Sequence, residues 1–302
     1  MNNNNKFNEL VSVIYPIYSY NKYINQSLKS VINQSYNNLE ILIIDDSDDE
    51  LISNLIFKIS DKRIKYFKGN KSGLSSALNY GIEISNGDYI ARMDCDDLSH
   101  PSRIEKQIKF LNDNNLDVCG SNVIIIDISD NTIDSFVAPK IKKLIIPYLI
   151  SFIPFFHGSV LIKKKFIIRN ELFYKNCYAE DKQLWIDFFY KNARFGNVDE
   201  FLYKYRQHSD SLFLKNKNKL LKELKLINNN FIKKNILTIK NDFLFNLNNY
   251  NKFSEKDKEI LVDFYIKCFL RTFNFKFLKI FFTAKSRYTI IYIIKYLFKF
   301  NT

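Results

Sequence analysis

Residues 10–128 alternate between short β-rich apolar runs and stretches with apolar residues at helical spacing, the rhythm that repeated βα units produce. The strand segments are 11–15, 39–44, 64–67, 89–93 and 118–128. Between them, 23–33, 50–59, 74–85 and 101–112 read as helices. Segment 74–85 closes before the Asn86-Gly87 turn signal, and 101–112 opens on an early proline with Ser99 as its candidate cap. Such a chain builds an α/β fold with a mainly parallel open sheet flanked by helices. Sheets of this type bind ligands just outside the carboxyl ends of their strands.

Two strands run straight into acids at that edge. Residues 89–93 lead into Asp94, Cys95, Asp96 and Asp97. Alternate residues point to opposite sides, so Asp94 and Asp96 share one and can hold a hard divalent cation, leaving positions for water and nucleotide phosphates. A solvated turn is the competing reading of three acids in four residues. Residues 39–44 lead into Asp45, Asp46, Ser47 and Asp48. A carboxylate there can accept a hydrogen bond from a nucleobase or a ribose hydroxyl, which leaves Asp46 open to a ligand role. Asp48 reads instead as the N-cap of the next helix.

A third acidic pair, Glu180-Asp181, stands at the start of a helical stretch that includes Trp185. Acids at a helix amino end are mildly stabilising, and one placed within reach of a sugar hydroxyl could equally serve as a general base. Of the three histidines, His100 reads as structural, while His208, beside Arg206 at a strand end, is a candidate for touching metal or diphosphate. No G-x-G-x-x-G or Walker loop is present, which argues against nicotinamide cofactors and P-loop chemistry. The first strand ends in Tyr15-Pro16-Ile17-Tyr18-Ser19, without the glycine-rich loop of a sugar nucleotidyltransferase.

Beyond residue 139 a helix-like run at 141–152, a strand at 159–162, a helix at 181–190 and a strand at 197–205 continue the same domain. From 213 onward the chain reads as helix with basic and aromatic faces. Charge supports a boundary there. Residues 1–212 carry 26 basic and 26 acidic residues, so the whole excess of +13 lies in 213–302, with 19 basic and 6 acidic. The expected organisation is a disordered polar amino terminus at 1–9, an α/β domain at 10–212 and a basic α-helical region at 213–302. A basic region faces something anionic, either nucleic acid or a membrane surface. Segment 288–300, apolar apart from Lys295 and Lys299, is too short to span a bilayer but could lie in its interface. The alternative is a helical bundle with solvated charges. Four scattered cysteines read as free thiols of a reducing compartment. With no cleavable signal visible, a cytoplasmic protein is expected, peripheral on the inner face of a membrane if its tail binds lipid.

In order, the segments VSVIYPIYSYN, LEILIIDDSDD, GLSSALNYGIEISNGDYIARMDCDDLSHPSRIEKQIKFL, HGSVLIKK, AEDKQLW and LYKYRQH resemble the family 2 glycosyltransferases of the GT-A fold. The resemblance implies that Asp46 binds the nucleobase, that Pro16 and Tyr18 line the nucleotide pocket, and that Asp94 and Asp96 form the D-x-D holding Mn2+ or Mg2+ on the donor diphosphate. It makes Asp181 the catalytic base, puts Glu180 and Trp185 near the acceptor, and brings His208 to the metal or diphosphate. Ser19, Ser47-Asp48 and Leu78 depart from residues common in the family, and bear on the donor more than on the reaction. The implied activity is inverting transfer of a sugar, UDP-linked by preference, to a hydroxyl of a glycan, lipid-linked or protein acceptor in polysaccharide or glycoconjugate synthesis. Nucleic acid is the less favoured partner. A non-catalytic nucleotide-sugar or nucleic-acid binder is the alternative.

Overall fold

The computed structural model describes residues 8–140, 144–209, 216–272 and 274–279. The polar tract 2–5, the boundary at 213 and segment 288–300 lie outside the described residues. Contacts divide the chain into two compact units, one of residues 1–140 and 155–220 and another of residues 141–154 and 221–302.

The first unit is built on a nine-stranded sheet. Its parallel part comprises β1 (Val11–Ile17), β2 (Leu39–Asp45), β3 (Ile64–Lys68) and β4 (Tyr89–Arg92), in the order β3-β2-β1-β4. Every residue of β1 and β2 is buried, as expected of central parallel strands covered on both faces. The register pairs Ile17 with Asp45, Asp45 with Lys68, and Ile14 with Arg92, so the carboxyl ends of all four strands open on one edge. Beyond β4 the sheet turns mixed. β8 (Leu161–Lys163) runs antiparallel to β4 and to β6 (Val118–Ile126), and β9 (Phe195–Arg206) runs parallel to β6. Two short strands, β5 (Leu98–Ser99) and β7 (Thr132–Phe136), pair antiparallel with β9 and β6.

Crossover helices α1 (Ile24–Ile32), α2 (Glu50–Ile56), α3 (Leu74–Ile84) and α4 (Arg103–Asp113) follow the expected rhythm, and α6 (Lys164–Asn170) and α7 (Glu180–Tyr190) come later in this unit. Two caps differ from expectation. Asp49, not Asp48, caps α2, accepting the Leu51 N–H at 2.9 Å, because the helix starts at Glu50 and its cap is the residue just before; Asp48 instead pairs with Lys71. Ser99 is drawn into β5 by its pairing with Tyr203, which moves the start of α4 to Arg103, preceded by Ser102.

The second unit contains α5 (Ile145–Ser151), most of α8 (Lys217–Lys234), α9 (Ile236–Asn248) and α10 (Glu255–Thr272). Segment 144–154 therefore falls with the helical unit, whereas the sequence pattern has it continue the sheet domain. The apolar face of α5 packs with α10, where Tyr148 donates to Asp257 at 2.8 Å, and Asn228 of α8 donates to Ile150 O at 2.9 Å. Phe243, Tyr265 and Phe277 form the aromatic centre, with Asn246 donating to the Tyr265 hydroxyl at 2.8 Å. Among the described residues, no helix is long and apolar enough to cross a membrane.

Candidate active site

The acids that follow β4 are held by buried guanidinium groups. Arg92, the last residue of the strand, is 3% exposed and donates to the Asp94 carboxylate and to Met93 O, both at 2.6 Å. Arg103 of α4 reaches the same strand end, donating to Arg92 O at 2.8 Å and to Val160 O at 3.2 Å with its guanidinium over the Tyr203 ring. Arg206, at the end of β9, clasps the next turn. Its backbone N–H donates to Asp97 at 2.7 Å, its Nε to Asp96 O at 2.8 Å, and its guanidinium lies 4.2 Å from the Tyr23 ring centroid. Ser27 donates to Asp94 O at 2.9 Å. A buried charge is tolerable only when paired and hydrogen-bonded, so these arginines and the acid turn specify one another.

Burial raises the Asp94 carboxyl above the usual carboxylate range, against the downward pull of Arg92. Asp97, fully buried, is raised further by desolvation and by the charges of Asp96 and Asp94. Asp96 and His208 meet directly, Nε2 to Oδ2, at 2.8 Å. Among the described residues no three His, Cys, Asp or Glu side chains converge as a cage for an ion. Asp96 and His208 offer two ligands to a cation that fills its remaining positions with phosphate oxygens and water. One oxygen of Asp94 is committed to Arg92.

The other acidic pair opens α7. Burial and the neighbouring Asp181 charge push the Glu180 carboxyl up to about 8. Asp181 is also raised by burial, and its carboxylate accepts the Lys182 N–H at 2.6 Å. The two acid groups lie 83 residues or more apart in the chain yet share one field. Arg92 lowers Asp94, Glu180 and Asp181 alike, while the Asp94 charge raises Glu180.

The loop entering α7 is tied to α3. Asn79 makes a two-point contact with Tyr174, donating to its carbonyl and accepting its N–H, both at 2.8 Å, and Ser75 donates to Lys175 O at 3.0 Å. The Tyr174 hydroxyl meets His157 Nε2 at 2.7 Å; burial and the Arg92 charge depress that imidazole well below its ordinary value, so it is neutral.

At the nucleotide end, Pro16 is buried within β1 and Tyr18 just beyond it is 56% exposed. Asp46 is buried and receives the N–H groups of Lys71 at 2.6 Å and Gly73 at 2.9 Å, which secures the loop leading into α3. Asp45 turns inward, accepting from Ser47, Tyr66 and Lys68. Trp185 departs from its expected contact with an acceptor. It is 0% exposed, packed edge-on against Phe155, Phe188 and His157, because the apolar face of α7 turns it into the core.

Thus Asp96 meets His208, Asp94 feels the Asp96 charge, and Glu180 and Asp181 share the field of Arg92 with Asp94. Arg92, Arg103, Asn79 and Tyr203 were not singled out from the sequence. A legible signal existed for Arg92, since a charge inside the buried run Tyr89-Ile90-Ala91-Arg92-Met93 requires a partner.

Residues 12–175 match the profile of glycosyl transferase family 2. The chain is 31% identical over 210 residues to the O-antigen biosynthesis glycosyltransferase WbnJ of Escherichia coli, covering 67% of this chain and 82% of that protein. It is 33% identical over 212 residues to the putative glycosyltransferase EpsE of Bacillus subtilis, covering 67% and 74%. An uncharacterized glycosyltransferase of Rickettsia bellii is 35% identical over 211 residues, 69% of this chain but only 30% of that longer protein. Among solved structures, S. aureus TarS 1-349 in complex with UDP-GlcNAc superposes with a TM-score of 0.57 at 18% identity, covering 88% of this chain and 75% of that one. Likeness at that identity is one of fold, and it agrees with the GT-A-type α/β architecture expected from the sequence.

Proposed function

The chain belongs to glycosyl transferase family 2 and is a glycosyltransferase, and from that premise we propose that it transfers a sugar from a nucleoside-diphosphate sugar to an acceptor hydroxyl with inversion at the anomeric carbon. The observation that carries this reading is the common field of Asp94, Glu180 and Asp181 around the buried Arg92. One acid group suits the donor diphosphate and the other the acceptor. Asp181 takes the proton of the acceptor hydroxyl as that oxygen attacks the anomeric carbon, and the bond from that carbon to the diphosphate breaks on the opposite face. Burial raises the proton affinity of Asp181, which makes it a stronger base than an ordinary solvated carboxylate.

Asp96 and His208, with Asp94, would hold a divalent metal, Mn2+ or Mg2+, which supplies charge neutralisation to the leaving diphosphate. Asp46, Pro16 and Tyr18 would receive the nucleotide, and Glu180 would meet the acceptor. A UDP-sugar is the favoured donor, in keeping with the ligand of the structurally similar TarS. The acceptor would be a glycan, a lipid-linked saccharide or a protein. We place the protein in the cytoplasm, in peripheral contact with the inner face of a membrane through its basic helices.

The test is release of nucleoside diphosphate from a panel of nucleotide sugars with and without Mn2+, by the wild type and by Asp96→Ala. Metal-dependent release from one donor, lost in the variant, is expected. Tight donor binding with no release under any acceptor would favour a non-catalytic binder and overturn the reading.

A further inference from the structure

Lys222, Leu226 and Lys233 of α8 follow one another at intervals of 4 and 7 residues, and Leu237, Lys240 and Leu244 of α9 at intervals of 3 and 4, which keeps each trio on one face of its helix. The two helices are joined through the single turn residue Asn235 (φ −111°, ψ 16°), where two backbone hydrogen bonds carry over from one helix to the next. Asn235 N–H donates to Phe231 O at 3.0 Å, and Ile239 N–H donates to Asn235 O at 2.9 Å. The opposite side carries the buried Phe231, Ile232, Ile239 and Phe243. All six stripe residues are exposed, with Leu226, Leu237 and Leu244 at 61%, 73% and 62%. No acid interrupts them, since Glu223 and Asp242, the two acids of these helices, are half-buried off the stripe.

We propose that this stripe is the surface by which the protein lies on an anionic bilayer, with the three leucines entering the headgroup boundary and the lysines reaching lipid phosphates. The proposal rests on the membrane contact put forward above and names the residues that make it. Charge complementarity selects an anionic partner, and the leucines choose among anionic partners. Nucleic acid offers phosphates but no apolar layer to receive three regularly spaced aliphatic side chains, and the stripe has no aromatic ring on which a base could stack. A bilayer offers both layers at the depths that a leucine and a long, flexible lysine reach from the same helix face.

The experiment is co-sedimentation of the full chain with vesicles of phosphatidylcholine alone and of phosphatidylcholine with about one third phosphatidylglycerol, at low and high salt. The wild type is expected to bind the anionic vesicles at least about tenfold more tightly, with the preference shrinking as salt screens it. Lys222→Gln, Lys233→Gln and Lys240→Gln combined should weaken binding by about a hundredfold, at roughly fivefold per lysine. Leu226→Glu, Leu237→Glu and Leu244→Glu combined should abolish it. All six sites are exposed, and the lysine set keeps the test valid should the leucine set fold poorly by circular dichroism. Wild-type binding that both sets leave unchanged would overturn the stripe while the membrane contact stands. No wild-type binding to any vesicle would overturn both, and binding to duplex DNA in place of vesicles would replace lipid by nucleic acid.

Discussion

The carboxyl edge of the parallel strands and the outer face of α8 and α9 hold positive charge in opposite ways. At the strand edge Arg92, Arg103 and Arg206 are all nearly or wholly buried, and each points its donors at particular carbonyls or carboxylates. On α8 and α9 the lysines stand in solvent beside exposed leucines. Buried charge sets geometry, because a displaced guanidinium would leave both itself and an acid unpaired in a poorly solvating interior. Exposed charge sets a field and costs the fold little when removed. The strand edge therefore holds its groups in fixed positions, whereas the helix face presents a diffuse positive field.

The sharpest break of that comparison is Asp181→Asn, which should lower transfer by about 10²–10⁴ while leaving the melting temperature and donor affinity near wild type. Near-normal turnover in that variant would remove Asp181 from its role. Arg206→Met should follow, destabilising the protein by about 3 kcal/mol in urea titration because the Asp96 turn, Asp130 and the Tyr23 ring lose their shared cation. A loss below about 1 kcal/mol would mean that the buried arginines contribute little to holding the site.

Asn79→Ala tests whether the loop before α7 needs its tie to α3. A roughly tenfold fall in kcat with little change in the donor KM is expected, as the start of α7 loses its two-point anchor. Equal effects on both constants would point to general destabilisation instead. A smaller effect concerns pH. Because burial raises Asp181 and pushes Glu180 up to about 8, transfer should rise with pH as the pair gives up its protons and fall as pH drops. Glu180→Gln removes the adjoining negative charge, so Asp181 loses its proton more readily and the acid limb of the kcat profile should move to lower pH by roughly one unit. An unmoved limb would separate the two carboxylates. At the far end of the scale, Lys233→Gln should change unfolding free energy by less than about 0.5 kcal/mol. A larger loss would show that the exposed charges are structural after all.

Periodicity determined much of the sheet domain. Apolar runs of strand length, helical spacing between them, and acids immediately after residues 44 and 93 were enough to place the βα units and the edge that carries the site. These are local properties, since burial of a parallel strand on both faces leaves its mark on consecutive residues. The ordered motifs were enough for the family, and the uneven charge was enough to foresee a basic helical region. What local pattern could not convey is which long-range partner each polar group meets. Asp48 and Asp49 are equivalent cap candidates until the helix start is fixed by packing. The family resemblance put Trp185 near an acceptor, yet the rotation of α7 turned it into the core.

Segment 141–154 has the same apolar helical character whichever core receives it, and contacts with α10 assign it to the helical unit. The two ends of the site differ in the same way. The sequence by itself determined that carboxylates follow β2 and β4 and precede α7. Only the tertiary structure decided that Arg92 serves both acid groups, that Asp96 meets His208, and that Asn79 fastens the loop before Asp181 across 95 residues of chain. The reason is physical. Hydrophobic period is written residue by residue, whereas a hydrogen bond or a shared field depends on separation in space, which exists only once the sheet has closed around its core.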